Sequence, residues 1–541
     1  MSESAPYYPI ILVRGFDPLR GSIKDPYYGF NDGTVYYRET HHNRIYEGFV
    51  INFLKDEKHG YIDTSNVFTF GEAEAPKYHS FYVNEVMTGP NSSFPEPGSE
   101  RAMKTFWVFR FYDAIEEEKL QVKNVRLIPY FARELHRFII EVKKLTGAPM
   151  VNIIAHSMGG VITRHVIQRR YPFKDGKEAE KHIHRIISLG SPLLGVDKLP
   201  APLLSELYMR LARDDERDAM NPEYIKAIPE CVTSDPDDTT LPVNGRREKK
   251  EKIYGLNGGC IEEQFDPSRW LCVVGTRYED YPTPWETANR VASRGKGSDG
   301  LILQSEAKLE NAPLVYLHKI HSGYDSLMTC RETYETATRF FFGDWWVELI
   351  LEPDSRILNF NKKYEYHLGC SIKTRDLDFY LTRQDYESVN CQRLHDPDEK
   401  VNRIDPLTHG LKNEDDDFIL YSGALDLQRS KAIDKSMMFR VDIKCYSEAA
   451  PSLLGALSDL VLGHSDNLAF SFQIIVEADT KSAEIRWCCC SEDEYYELRP
   501  HLEPYEFTKD DTTGDLSISG LTLYAEGRFD GSCRLTVRKR T

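Results

Sequence analysis

The apolar residues of this chain change their period between residues 343 and 350, and that change divides what the sequence can fold into. Up to about residue 343, short apolar runs alternate with helical patterns, which argues for a mostly parallel α/β sheet. The candidate strands are Ile10 to Val13, Thr105 to Phe111, Val151 to Ala155, Arg185 to Leu189, Leu271 to Gly275 and Leu314 to Leu317. Just before the third of them, Tyr130, Phe131, Leu135, Phe138, Ile139, Val142 and Leu145 fall on one face of a helix. From about residue 350 the apolar positions alternate with period two, as in Phe439, Val441, Ile443 and Cys445, and again in Leu516 and Ile518, then in Leu521 and Leu523. That spacing predicts a separate antiparallel β domain, a sandwich, over residues 350–541.

Composition narrows the function. The 541 residues hold 68 basic against 85 acidic side chains, a net charge of -17, which disfavours nucleic acid as a partner. No apolar run reaches the length of a membrane helix, and Met1 to Pro6 has neither the basic nor the apolar region of a cleaved signal. Eleven cysteines without regular spacing fit a reducing compartment better than a disulfide framework, so the expected location is cytoplasmic, short of export without a cleaved signal. Cys488, Cys489 and Cys490 are read as strand residues facing alternate sides, an arrangement ill suited to a single metal ion.

Two stretches interrupt the α/β rhythm. Residues 20–104 are rich in Tyr, His, Gly and Pro, and residues 196–266 are acidic with Leu203, Leu204, Leu207, Tyr208 and Leu211 at helical spacing. Both read as insertions on the sheet. The second is a candidate lid, although an amphipathic core helix is the commoner origin of such a stripe.

The chemistry centres on Val151 to Ile162, a β-branched run, a tight turn with a serine, and a helical stretch opened by Gly159 and Gly160. The turn Ala155-His156-Ser157-Met158-Gly159 fits a nucleophile elbow, where small residues on either side let strand and helix backbones approach while the serine hydroxyl is presented. A serine needs a histidine to take its proton and a carboxylate to hold that histidine in the right tautomer. In the order serine, acid, histidine, the best-placed acid is Asp299, after the glycines of Arg294 to Gly297. The best-placed histidine is His321, just past the last candidate strand, with His318 as its competitor. The two oxyanion donors are expected to be the backbone amides of Met158, at the start of the helix, and Phe16, in the loop after the first strand. Arg14, which opens that loop, is an alternative ion-pairing residue at the strand end.

With these residues in place, the chain from about residue 8 to 342 resembles the α/β-hydrolase lipases and esterases, the bacterial true lipases especially. The resemblance is carried by Ile11 to Phe16, by Ala155 to Gly160, by Leu189-Gly190-Ser191-Pro192-Leu193-Leu194-Gly195 and by Ser298-Asp299-Gly300-Leu301, with His321 following. It implies an α/β-hydrolase sheet with helices on both faces over residues 1–343, carrying the lid insertion. The chain departs from the family at Arg14-Gly15, where His-Gly is usual. Related lipases often hold calcium through an Asp soon after the histidine; here Gly323 stands two residues on and Asp325 four on, so neither calcium nor any cofactor is expected.

The expected activity is hydrolysis of carboxylic esters, of triacylglycerol or phospholipid by the resemblance, through an acyl-enzyme on Ser157. Some such lipases carry a β domain after the hydrolase domain that engages lipid or a partner protein, a role the resemblance implies for the β domain here. Leu453 to Leu462 within it are candidates for contact with a lipid surface or for a packed internal helix. Two other functions share this scaffold: a non-catalytic binding protein in which Ser157 is a relic, and an acyltransferase in which an alcohol replaces water.

Overall fold

A computed structural model of the chain describes residues 7–15, 34–38, 41–45, 49–56, 58–64, 68–70, 81–83, 94–109, 127–168, 176–195, 261, 264–278, 297–323, 325–352, 355–358, 364–375, 380–386, 388, 390–394, 418–426, 436–449, 468–479 and 484–540. The chain divides into two compact units, Pro6–Pro313 with Lys319–Ala337, and Met1–Ala5, Leu314–His318 and Thr338–Thr541.

The first unit is built on parallel strands: β1 (Ile10–Val13), β2 (Ile62–Asp63), β3 (Thr105–Val108), β4 (Val151–His156), β5 (Ile183–Leu189) and β6 (Trp270–Gly275). They lie in the order β6-β5-β4-β1-β3-β2, and each neighbouring pair is parallel. Every residue of β1, β3, β4, β5 and β6 is buried, so both faces of each strand are covered. This is why the sequence shows near-continuous apolar runs here and no alternation. The polar exceptions find partners: Asn152 Oδ1 and His184 Nδ1 meet at 3.2 Å between β4 and β5.

The predicted strands lie where the sequence put them, with β4, β5 and β6 running one or two residues longer and β3 ending at Val108, short of the predicted Phe111. Helix α1 (Phe49–Lys55) precedes β2, α2 (Leu127–Thr146) precedes β4, and α3 (Met158–Gln168) follows β4 directly. Phe131, Leu135, Phe138, Ile139 and Val142 of the predicted α2 stripe are buried. Helix α2 packs on α3, and α3 lies against β1, β4 and β5.

Part of the 20–104 stretch belongs to the sheet itself. Strand β2 pairs with β3, and Phe53 of α1 meets Phe106 of β3 with ring centroids 5.3 Å apart. Its aromatic richness is therefore partly core composition. The described portion also holds two antiparallel strand pairs, Thr34–Arg38 with His41–Ile45 and Phe68–Phe70 with Phe81–Val83, and the short helix Glu100–Met103. The 196–266 stretch, including the candidate lid leucines, lies outside the described residues except for 261 and 264–266.

The second unit holds two antiparallel sheets. One has the order Phe418–Leu425, Trp345–Leu351, Phe529–Lys539, Leu516–Ala525, Thr508–Lys509. The other runs Tyr380–Thr382, Tyr364–Thr374, Ser436–Ala449, Leu468–Asp479, Glu484–Cys488, Tyr505–Glu506. Both feed one apolar cluster: Leu420, Leu521 and Cys533 come from the first, and Cys370, Ile443 and Ile474 from the second. Leu314–Leu317 belongs to this unit, where the Tyr316 amide donates to Thr382 Oγ1 at 3.3 Å and its carbonyl accepts from the Arg383 amide at 2.9 Å. The cysteine run departs from its expected form. The strand Glu484–Cys488 ends at the first of the three, so strict alternation stops there, and Cys488 pairs with Cys490 in a disulfide. Leu453 to Leu462 lie outside the described residues.

Candidate active site

The carboxyl ends of β1, β4 and β5 converge because β1 is the point at which the chain changes sides. It leaves β1 for β2 and β3 on one flank, then crosses to β4 on the other. Crevices at such switch points are the usual ligand sites of open parallel sheets.

Ser157 sits between β4 and α3 with φ of 55°, a left-handed conformation that costs a non-glycine residue about 1–2 kcal/mol. The surrounding contacts hold it there. Its amide donates to the Leu189 carbonyl of β5 at 3.0 Å, and its carbonyl accepts from the Gly160 amide at 3.0 Å as the helix starts. The small residues that the elbow requires are small for visible reasons. A Cβ on Gly159 would run into the Val13 carbonyl oxygen, and one on Gly160 into the Ser191 side chain. A Cβ on Gly15 would run into Ser157 Cβ and stand 2.9 Å from the Met158 nitrogen. The backbone that leaves β1 thus lies directly over the elbow.

His321 faces Ser157, with Nε2 3.0 Å from Oγ, and its Nδ1 is 2.7 Å from Asp299 Oδ2. The imidazole bridges hydroxyl and carboxylate, one ring nitrogen to each. Asp299 is fixed in turn: its Oδ1 accepts from the amides of Leu301 at 3.0 Å and Ile302 at 2.7 Å. The Asp299 carbonyl also accepts from the His321 amide at 2.9 Å, tying acid and histidine segments through their main chains. All three residues are buried, Ser157 at 7%, Asp299 at 1% and His321 at 2% exposure. In so dry a place, charge-assisted hydrogen bonds gain strength.

Gly190, at the end of β5, has φ of 51° and passes so close that a Cβ there would lie 2.6 Å from Asp299 Oδ2 and 3.0 Å from His321 Nδ1. Gly275, at the end of β6, backs Asp299 Cβ in the same way at 2.6 Å. The sequence carries both glycines, but spacing alone does not reveal that they shape the acid–histidine pair.

The structure therefore brings together Ser157, Asp299 and His321. Met158 is buried at the first position of α3, with its amide at the elbow. Phe16, the other expected amide donor, lies outside the described residues. His318 is half-buried, and the histidine that reaches Ser157 is His321. Asp325, four residues after His321, is held by Lys319 Nζ at 2.6 Å and Arg277 Nη1 at 3.2 Å, while Lys319 also reaches Glu332 at 3.0 Å. Burial works to lower the Lys319 pKa, but the neighbouring Cys330, Glu332 and Asp325 together carry it above its ordinary value. One residue at the centre of the site was not singled out by the sequence. His156, next to the nucleophile, is buried with its ring centroid 4.7 Å from that of His321.

Residues 118–196, which hold α2, β4, the elbow, α3 and β5, match the family model for lipase (class 2). No curated protein matches the chain in sequence. Among solved structures, the product of gene lin2722 from Listeria innocua aligns at 11% identity over 62% of this chain and 93% of its own, with a TM-score of 0.27. A protein described as a candidate cell surface hydrolase from Lactobacillus plantarum WCFS1 aligns at 11% identity over 62% and 90%, with a TM-score of 0.26. The lipase match spans the elbow, so over that segment the resemblance to the α/β-hydrolase lipases and esterases holds. Asp299 and His321 lie beyond the matched residues.

Proposed function

We propose that this chain hydrolyses carboxylic esters through an acyl-enzyme on Ser157. The observation that carries the proposal is the hydrogen-bonded path from Ser157 Oγ to His321 Nε2 at 3.0 Å and from His321 Nδ1 to Asp299 Oδ2 at 2.7 Å. A lipase family match across the elbow supports ester hydrolysis as the reaction class.

In this reading the Asp299 carboxylate accepts a hydrogen bond from Nδ1–H, which keeps the proton on Nδ1 and leaves Nε2 of the neutral imidazole open toward the serine. His321 takes the hydroxyl proton as Oγ attacks the ester carbonyl. The Met158 amide donates to the oxyanion that forms, and a second amide from the loop after β1, which we assign to Phe16, completes the pair. His321 then returns the proton to the departing alcohol. Water, activated by the same histidine, attacks the acyl-serine and releases the acid. The rigid elbow, the Asp299 cradle and the burial of all three side chains support this division of roles, because a preorganised site has little to rearrange as charge develops.

Ser157→Ala removes the nucleophile while leaving a methyl group in the elbow. Turnover of an aryl ester is expected to fall at least about a thousandfold, with the unfolding temperature nearly unchanged. Retained turnover in that variant contradicts the proposal. The substrate class we favour is a lipid ester, triacylglycerol or phospholipid, on the strength of the family match. We read the second unit as a β-sandwich, because its two sheets share one core, and assign it contact with a lipid surface. Flotation of the full chain with phosphatidylcholine vesicles tests that assignment: co-flotation is expected, and none counts against it.

A further inference from the structure

The residue that precedes the nucleophile has a geometry of its own. His156 Nε2 lies 2.9 Å from the main-chain carbonyl oxygen of His321. A carbonyl can only accept, so Nε2 carries the proton, and His156 is held in one tautomer. The ring is 3% exposed and tilted at 45° to the His321 ring, with centroids 4.7 Å apart.

His321 is thereby gripped at its main chain from two directions. Its amide donates to the Asp299 carbonyl at 2.9 Å, and its carbonyl accepts from His156 at 2.9 Å. Because His156 is bonded covalently to Ser157, a closed loop results: from Ser157 along the chain to His156, across to the His321 carbonyl, out through the His321 side chain, and back to Ser157 Oγ at 3.0 Å. The Ser157–His321 contact, across which the proton must move, thus lies in the same loop as a hydrogen bond outside the triad.

We infer that His156 is a positioning residue, whose Nε2–H holds the His321 backbone so that the imidazole stays within proton-transfer reach of Ser157. The inference deepens the proposed acyl-enzyme mechanism and rests on it. Electrostatics agree with the geometry. Burial first, then the neighbouring His321 and Arg14, push the His156 pKa well below its ordinary value, so its ring is uncharged near neutral pH. An uncharged donor grips the carbonyl without opposing the imidazolium that His321 becomes during each turnover.

Two substitutions of similar shape separate the hydrogen bond from mere filling of space. His156→Gln places an amide donor near the position of Nε2, while His156→Met fills a similar volume with no donor. The readouts are the rate of Ser157 labelling by a fluorophosphonate, kcat and KM on a p-nitrophenyl ester, and the unfolding temperature. His156→Met is expected to lower kcat and the labelling rate roughly 10- to 100-fold with KM nearly constant, as a small misplacement of a catalytic group does. His156→Gln is expected to recover most of that loss. Should Met prove too destabilised to purify, His156→Phe serves as the donor-free variant.

Wild-type kcat in the donor-free variant overturns the inference. So does an equal loss in the Gln and donor-free variants, which would assign the effect to imidazole packing, or a change in unfolding temperature with none in kcat. If the wild-type protein itself resists the probe and the ester, the triad reading fails, and the role of His156 falls with it; an active wild type with indifferent variants removes the role of His156 alone.

Discussion

At the scale of single residues, the site depends as much on absent atoms as on present ones. Gly190 has a positive φ and passes within reach of both partners of the acid–histidine pair. Gly190→Ala would impose about 1–2 kcal/mol of backbone strain and drive a methyl group toward Asp299 Oδ2. The expected result is a fall in kcat of roughly 100-fold, measured on an aryl ester, with a smaller change in KM. Unchanged kcat would mean that the pair tolerates displacement and that its observed geometry is not demanding. Ser157, Asp299 and His321 were legible in the sequence because each belongs to a local pattern: a strand–turn–helix, a glycine-flanked acid, and a histidine beyond the last strand. Gly190 and His156 were not, since their roles exist only where separate segments meet. A titratable residue beside the nucleophile, at the end of a strand with no other titratable side chain, was the one signal that could have marked His156.

At the scale of elements, the periodic segments were the most readable. The α2 stripe and the fully buried strands repeat their pattern over enough residues to specify one face, or both faces, of an element. The β domain shows why a strict period misleads. Leu516 and Ile518 are even-numbered and Leu521 and Leu523 odd-numbered, yet all four belong to one strand, and the last three are buried in one core. The pairing register shifts between Ile518 and Leu521, and Gly520 there has φ of 71°. A bulge inserts the extra residue and returns the apolar side chains to the same face.

Helix α2 also carries a pH dependence. Burial, helped by His182 and Arg137, pushes the His136 pKa from its ordinary 6.5 down to about 4. Between those values the unfolded chain binds the proton that the native state refuses. His136 therefore destabilises the fold progressively as pH falls from about 6.5 toward about 4, and contributes nothing adverse above that window. The unfolding temperature of the wild-type protein should drop between about pH 7.5 and about pH 5, and His136→Gln should drop less. Equal drops in the two proteins would show that His136 is not a source of the acid sensitivity.

At the scale of the whole molecule, two units with different periodicities carry different parts of the account. The first contains the complete serine–histidine–aspartate path, and the second is two antiparallel sheets around one core. The switch of period falls between residues 343 and 350, while the long segment of the second unit begins at Thr338. Composition does not separate two readings of residues 20–104, since a Tyr- and Phe-rich stretch describes a buried aromatic cluster as well as it describes an insertion. The central claim is that Ser157 is an activated nucleophile. Its most direct test is to treat the full-length protein with a fluorophosphonate and locate the adduct by peptide mass spectrometry. A single adduct on the peptide containing Ser157, absent from Ser157→Ala and strongly slowed in His321→Ala, is the predicted result. No adduct on the native wild-type protein, or one at another serine that persists in Ser157→Ala, would contradict it.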